Sequence, residues 1–196
     1  MAIFRMTDLT RVKLLLDILD SETRSDNILH QLIDDVSAEA AKFLNRVVKK
    51  EISVTEYFDI FRAQDSIQLS AYPVTSITSI HNSQEEIWDA GTLIDSDYYH
   101  VDLDSGLVHF DSYILLYGAK AVRVVYVGGM ADTTDNFVTA YPHIASAITM
   151  EVAYRFQRRH TIGLIAVTAA GGSTTIAQKT QFLPAVEDVL DSERRY

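Results

Sequence analysis

No cysteine occurs among the 196 residues, so disulfides, thiolate nucleophiles and cysteine-based zinc sites are excluded. Long apolar runs are missing too: no segment approaches the ~20 residues needed to span a bilayer. The stretch from Met1 to Leu19 is broken by Arg5, Asp8, Arg11, Lys13 and Asp17, unlike the apolar centre of a signal peptide. Positive charge is scarce, with 17 Lys and Arg against 27 Asp and Glu and a net charge of -10. That balance argues against tight wrapping of nucleic acid, which needs lysine and arginine to replace counterions. It does not argue against DNA sliding nearby, since a pore gains from a wall that does not grip phosphates.

Catalytic signatures are absent as well. There is no G-x-S-x-G elbow, no G-x-x-x-x-G-K-[ST] and no G-x-G-x-x-G, and Gly128-Gly129 follows a strand without promptly opening a helix. None of the six histidines, His30, His81, His100, His109, His143 and His160, forms the i, i+4 pair of a helical zinc site. His100 and His109, with Asp97 and Asp102 nearby, are the one metal-like grouping, and they read better as polar residues on a solvated hairpin. The run from Asp102 to Gly106 has its glycine fifth, where a calcium loop needs it sixth, so it reads as a turn. No cofactor and no metal is expected.

What is present is patterned. Thr7 and Asp8 offer a cap and a first-turn acid for a short helix to Ile18, whose apolar face is Leu14, Leu15 and Ile18 with Leu9 and Val12 behind. Ser25 and Asp26 open a second helix of about five turns, striped by Ile28, Leu29, Leu32, Ile33, Val36, Ala40, Phe43 and Leu44. A short polar linker makes the pair an antiparallel hairpin.

From Glu51 the texture changes to short β-branched and aromatic runs. Six strands are expected, at 52–60, 66–69, 74–80, 98–103, 107–110 and 121–127, with turn chemistry at Tyr72-Pro73, Asp89-Ala90-Gly91 and Asp104-Ser105-Gly106. They predict a small antiparallel β-domain, sandwich or barrel. After a polar stretch through Asn136, Pro142 opens a helix with Ile144, Ile148, Val152 and Phe156 at four-residue spacing. Arg155, Arg158, Arg159 and His160 complement its C-terminal dipole. Residues 161–181 carry one charge, Lys179, and read as a long arm or loose hairpin. A last helix starts at Pro184, with Glu187 and Asp188 in its first turn and Val186, Val189 and Leu190 on one side. It either docks on its own domain or plugs into a partner.

The predicted class is α+β: a helical bundle formed from both chain ends, 1–50 and 131–196, with a small antiparallel β-domain, 51–130, inserted. Six phrases then carry a resemblance: MTDLTRVKLLLDI, SDNILHQLIDDVSAEAAKFL, LSAYPVTSITSI, AVRVVYVGG, YPHIASAITMEVAYRFQRRH and FLPAVEDVLDSERRY. In this order, spanning nearly the whole chain, they resemble the head-tail connector, or head completion adaptor, family of long-tailed bacteriophages, in the variant with a β-domain between the helices.

The resemblance implies a structural virion protein of the neck, assembled in the host cytoplasm and not an enzyme. It implies a ring, typically dodecameric, beneath the portal protein and around a DNA channel, with a tail or stopper protein below and no membrane partner. Carried onto this chain, it makes Phe182, Leu183, Val186, Val189, Leu190, Arg194, Arg195 and Tyr196 portal-facing residues. The arm residues Ile162, Leu164, Val167, Gly171, Gly172 and Ile176, with Arg155, Arg158 and Arg159, become contacts to a neighbouring subunit, the portal or the channel. The family's simpler members are mainly helical, so the β-domain is a departure whose role the resemblance leaves open. Rival readings are a neck stopper or tail-completion protein, a small metal-dependent enzyme using His100 and His109, and a carbohydrate- or peptide-binding β-module.

Overall fold

The computed structural model describes residues 3–111, 113–159, 166–169, 172–175 and 182–194, with backbone alone for 166–169 and 172–175. In chain order the elements are α1 (Leu9–Leu15), α2 (Asp26–Leu44), β1 (Glu51–Ile60), β2 (Ser66–Gln68), β3 (Val74–Asn82), β4 (Tyr99–Asp102), β5 (Leu107–Phe110) and β6 (Gly118–Gly128). They continue with α3 (Thr134–Ala140), α4 (Pro142–Arg158), β7 (Ala166–Ala169), β8 (Gly172–Thr175) and α5 (Pro184–Ser192). The fold is α+β. Two compact units divide it, Met1–Asn45 with Thr133–Tyr196 and, between them, Arg46–Asp132. The inserted unit runs from Arg46 to Asp132, against the expected 51–130. Asn45 ends α2 in the left-handed region, φ 52°, and Val47 N–H already donates to Ser70 O at 3.2 Å.

In the helical unit, α1 and α2 run antiparallel, because their contacts pair in opposite order. Arg5 Nε and Nη2 donate to the two Asp34 oxygens at 2.6 and 2.9 Å, Met6 N–H donates to Ser37 Oγ, and Lys13 Nζ lies 2.6 Å from Asp26 Oδ1. The Arg5 hydrogen bonds hold the Asp34 carboxyl below the usual carboxylate range. α2 buries Leu29, Ile33, Val36, Ala40 and Leu44, the 3-4 spacing of one face, and each of the four larger side chains contributes roughly 1.5–3 kcal/mol.

α1 does not bury the face its pattern suggests. Asp8, not Thr7, is its N-cap, accepting from Arg11 N–H at 2.8 Å. Val12 and Lys13 face inward while Leu14 is 81%, Leu15 53% and Leu19 73% exposed. The cause is Lys13: only 2% exposed, it donates to Asp20 O at 3.3 Å and Glu22 O at 2.9 Å while paired with Asp26. A buried ammonium must have such partners, and the 16–25 linker folds around it to supply them. Turning Lys13 inward turns the leucines out.

The polar stretch before Pro142 contains an unexpected helix, α3. Thr133 Oγ1 caps it by accepting from Asn136 N–H, and Phe137 is its one buried side chain, meeting Phe4 edge-on at 5.7 Å. A single apolar anchor leaves too short a pattern to read as periodic. α4 buries Ile144, Ile148, Val152 and Phe156. β7 and β8 pair antiparallel, Ala166 opposite Thr175 and Ala169 opposite Gly172; the rest of the arm lies outside the described residues.

The β-unit is built from two three-stranded antiparallel sheets, in the orders β1-β6-β3 and β2-β5-β4. Along β6, Val122, Val124, Tyr126 and Gly128 are buried while the residues between them are not, the period-2 signature of a one-sided strand. Ile60, Leu69, Ile80, Val108, Phe110 and Tyr126 from both sheets share one core. Tyr126 brings its hydroxyl inside with partners: it donates to Glu56 Oε1 at 2.6 Å and accepts from Ala71 N–H at 2.9 Å. Glu56 also accepts from the Ser70 hydroxyl. Burial, then Glu56, pushes the Tyr126 phenol well above its ordinary range. Gly106 takes φ +72° in the β4–β5 turn, and Gly129 takes φ +125° where an added Cβ would lie 2.6 Å from Lys50 Cα, so both positions need glycine.

Two outcomes follow from these buried groups. Lys13→Met keeps the stem but strands two carbonyls and the Asp26 carboxylate, and should lower unfolding free energy by about 1–3 kcal/mol; Leu14→Gln, on the exposed side, should stay within about 0.5 kcal/mol. Denaturant titration of both variants checks this. His81 is buried with Nδ1 3.2 Å from Thr92 Oγ1, and desolvation, then the Arg123 charge, lowers its pKa against the opposing pull of Asp89. The unfolded chain therefore binds the proton more tightly, so this contribution to stability is intact above about pH 6.5 and is lost as pH falls toward the lowered folded value. Melting temperature against pH should show a shallower acid decline for His81→Gln than for the parent chain.

Candidate assembly surfaces

α5 is docked on its own unit. Phe182, Val186 and Leu190 are at most 2% exposed, with Phe182 edge-on to Phe43 at 5.7 Å and under the Arg155 guanidinium at 5.9 Å. The docking is centred on Glu151, a carboxylate carried by α4 into the interior at 3% exposure. Its Oε1 accepts from Arg155 Nε at 2.8 Å and its Oε2 from Leu183 N–H at 2.9 Å, at the entry to α5. Arg155 reaches on to both Glu39 oxygens of α2, at 3.1 and 2.7 Å. The bonds to Glu39, then those to Glu151, outweigh burial and raise the Arg155 pKa. At the far end His143 Nε2 meets Glu193 Oε1 at 3.2 Å, and the Arg194 guanidinium lies 4.9 Å over the Phe43 ring.

The expected portal-facing set changes accordingly. Phe182, Val186 and Leu190 are core side chains of the helical unit and reach a partner only if α5 lifts away, re-exposing three side chains worth roughly 1.5–3 kcal/mol each. Leu183 and Val189 are half-buried and Arg194 is exposed, so these three remain at the surface. Arg195 and Tyr196 lie outside the described residues, as do Ile162, Leu164, Gly171 and Ile176. Val167 falls in β7 and Gly172 opens β8. The three arginines at the end of α4 have separate partners: Arg155 the acids described, Arg158 the Tyr154 ring at 5.3 Å and Arg159, the C-cap, the Phe156 ring at 3.7 Å.

Sequence reasoning passed over two surfaces. The first is at the end of α1, where a shallow concavity of about 250 Å³ is lined by Thr10, Leu14, Asp17, Ile18, Leu19 and Asp20. Leucines assigned to a core face here stand in solvent. Lys13, a charge set among five apolar residues, was the signal. The second lies in the β-unit, a concavity of about 360 Å³ between the loops that follow β1 and β5, lined by Ala63, Gln64, Asp65, Tyr113, Ile114, Leu115 and Tyr117. Phe61 and Ile114 nearby are 74% and 85% exposed.

His100 and His109 stand opposite each other on β4 and β5. Their rings stack at 5.0 Å and 21°, and His100 Nδ1 meets Asp111 Oδ2 at 2.9 Å. Stacking sets the ring nitrogens side by side rather than converging on one point. Among the described residues no three His, Asp or Glu side chains are placed to hold a metal ion. Asp102 serves the turn, accepting from the Ser105 hydroxyl at 2.7 Å and from Asp104 N–H at 3.1 Å.

No protein-family model matches the sequence, and no curated protein matches it. Solved structures do match in fold. A chain from the neck of an empty gene transfer agent (GTA) particle, computed with C6 symmetry, superposes with a TM-score of 0.60 at 14% identity, over 97% of this chain and 90% of that one. A chain from the neck of the native GTA particle, computed with C12 symmetry, gives 0.54 at 14% identity over 100% and 96%. A chain from the virion of the native gene transfer agent particle gives 0.56 at 13% identity over 100% and 96%. The protein therefore has the fold of chains in the neck and virion of gene transfer agent particles, across both of its units.

Proposed function

We propose that the protein is a structural component of the neck of a phage-like particle: a head-tail adaptor that closes as a ring between portal and tail around the path of the DNA, without catalysis. The observation that carries this reading is the likeness to neck chains over 97% of the sequence, helical unit and β-unit included. A likeness confined to the helices would point only to a common bundle. Six- and twelve-fold symmetry in the matched necks favours a ring of identical copies. A net charge of -10 suits a wall past which phosphates slide rather than bind.

In this reading the C-terminal segment meets the portal through Leu183, Val189 and Arg194, continued by Arg195 and Tyr196, while Phe182, Val186 and Leu190 hold α5 to its unit. The arm, from Ile162 and Leu164 through Val167, Gly171, Gly172 and Ile176, reaches a neighbouring copy, the portal or the channel, as does the arginine end of α4. A tail or stopper protein binds below.

Mixing the purified protein with portal rings of the same particle and imaging by electron microscopy tests the reading. An added ring of density beneath the portal is expected, and it should disappear when the surface positions of the docked helix are changed by Val189→Asp with Arg194→Glu, a pair that leaves the buried side of α5 intact. Bare portals with the full-length chain would overturn the adaptor reading, and density attached only to tail components would favour a stopper instead.

A further inference from the structure

A ring of identical subunits closes through a heterologous contact, in which one patch of each copy meets a different patch of the next. The two patches must be complementary and must lie apart on the subunit. The helical unit carries such a pair.

The first is the leucine concavity at the end of α1. Leu14 and Leu19, both exposed, line it together with the half-buried Ile18. Scattered surface leucines need no explanation, but a grouped apolar patch marks an interaction site. This one is also rigid. The buried Lys13 holds the 16–25 linker by two carbonyls and the Asp26 carboxylate, so little order remains to be imposed when a partner binds. Asp17 and Asp20 belong to its lining, which disfavours an acidic lipid surface and selects a partner that joins apolar surface to positive charge.

The second patch has that chemistry. At the end of α4, Arg158 lies over Tyr154 and Arg159 over Phe156, which presents guanidinium groups on aromatic faces beside the exposed, uncharged Gln157. Arginine with aromatic side chains is the composition enriched at protein interfaces. The ion pairs Lys13–Asp26 and Arg155–Glu39 tie the two patches to different ends of α2, about 20 Å apart at 1.5 Å per residue.

Resting on the ring reading above, we propose that these patches form the copy-to-copy contact: the leucine concavity of one subunit, with Asp17 and Asp20, receives the Tyr154, Arg158 and Arg159 end of α4 from its neighbour. The contact then combines burial of Leu14 and Leu19 with carboxylate–guanidinium pairing that fixes which face meets which.

The chain contains no cysteine, so a crosslink can be introduced cleanly. The double variant Leu19→Cys with Gln157→Cys, assembled on portal rings and oxidised, should give a ladder of multimers on a non-reducing gel, whereas either single variant should stop at dimers. Charge reversal supplies a second readout. Asp17→Arg with Asp20→Arg, and separately Arg158→Glu with Arg159→Glu, should each reduce the fraction of portals bearing a ring at least tenfold, and combining all four should restore it. If a reversed variant fails to fold by circular dichroism, the crosslink decides. Rings visible beneath the portal with no ladder from the double cysteine variant would overturn this contact and leave the adaptor reading standing; no ring from the parent chain would overturn both.

Discussion

Glu151 is the group on which the helical unit depends. A carboxylate carried inside among Ile148, Val152 and Phe156 would cost several kcal/mol if unpaired, and the unit is arranged so that it never is. Arg155, one turn on, supplies one partner and continues to Glu39; the entry to α5 supplies the other through the Leu183 N–H. Glu151 and Arg155 together thus link α2, α4 and α5, and Phe182 lies under the Arg155 guanidinium. The same chemistry recurs at Lys13, where a buried charge of opposite sign organises a linker. In both places the buried ion is matched by partners drawn from separate segments of the chain. Removing one partner would leave the other charge buried and uncompensated, which is strongly destabilising.

The β-unit solves a similar problem with a neutral donor. Tyr126 and Glu56 bring polar atoms to the core of two small sheets and satisfy them against Ala71 and Ser70, pinning the segment between β2 and β3 to the central strand β6. Around that network the sheets are ordinary: alternating side chains, short turns and a shared interior. The unit also leaves apolar side chains in solvent, Ile52 on β1 and Phe61 and Ile114 in the loops following β1 and β5.

Much of this was legible in the sequence, for reasons that differ by element. The six strands of the β-unit fall within a few residues of their expected places because strand and turn signals are local: β-branched runs bounded by Asp104-Ser105-Gly106 or Tyr72-Pro73 need no knowledge of what packs on them. α4 was legible because four apolar residues at equal spacing admit one reading. The orientation of α1 was not, since both faces of LTRVKLL carry apolar residues and the choice was made by oxygens of Asp20, Glu22 and Asp26. Nor was the docking of α5, which turns on a hydrogen bond between residues 32 apart in sequence. A buried acid in an apolar stripe announces that a partner exists without saying which.

The two ends of the β-unit are fastened to each other. Lys49 and Ala131 form a parallel bridge, Lys50 N–H donates to Ala131 O at 2.7 Å, and Met130 N–H donates to Val48 O at 2.9 Å. Chain entry and chain exit are therefore neighbours, held by backbone bonds that do not depend on side-chain identity. To the helical unit the whole segment from Arg46 to Asp132 is topologically a short loop, and the entropy of closing it is that of a tight turn rather than of a long disordered excursion. Such an insertion can be lengthened, exchanged or lost in evolution without re-solving the fold that carries it, leaving selection on what it meets outside separate from selection on the helices.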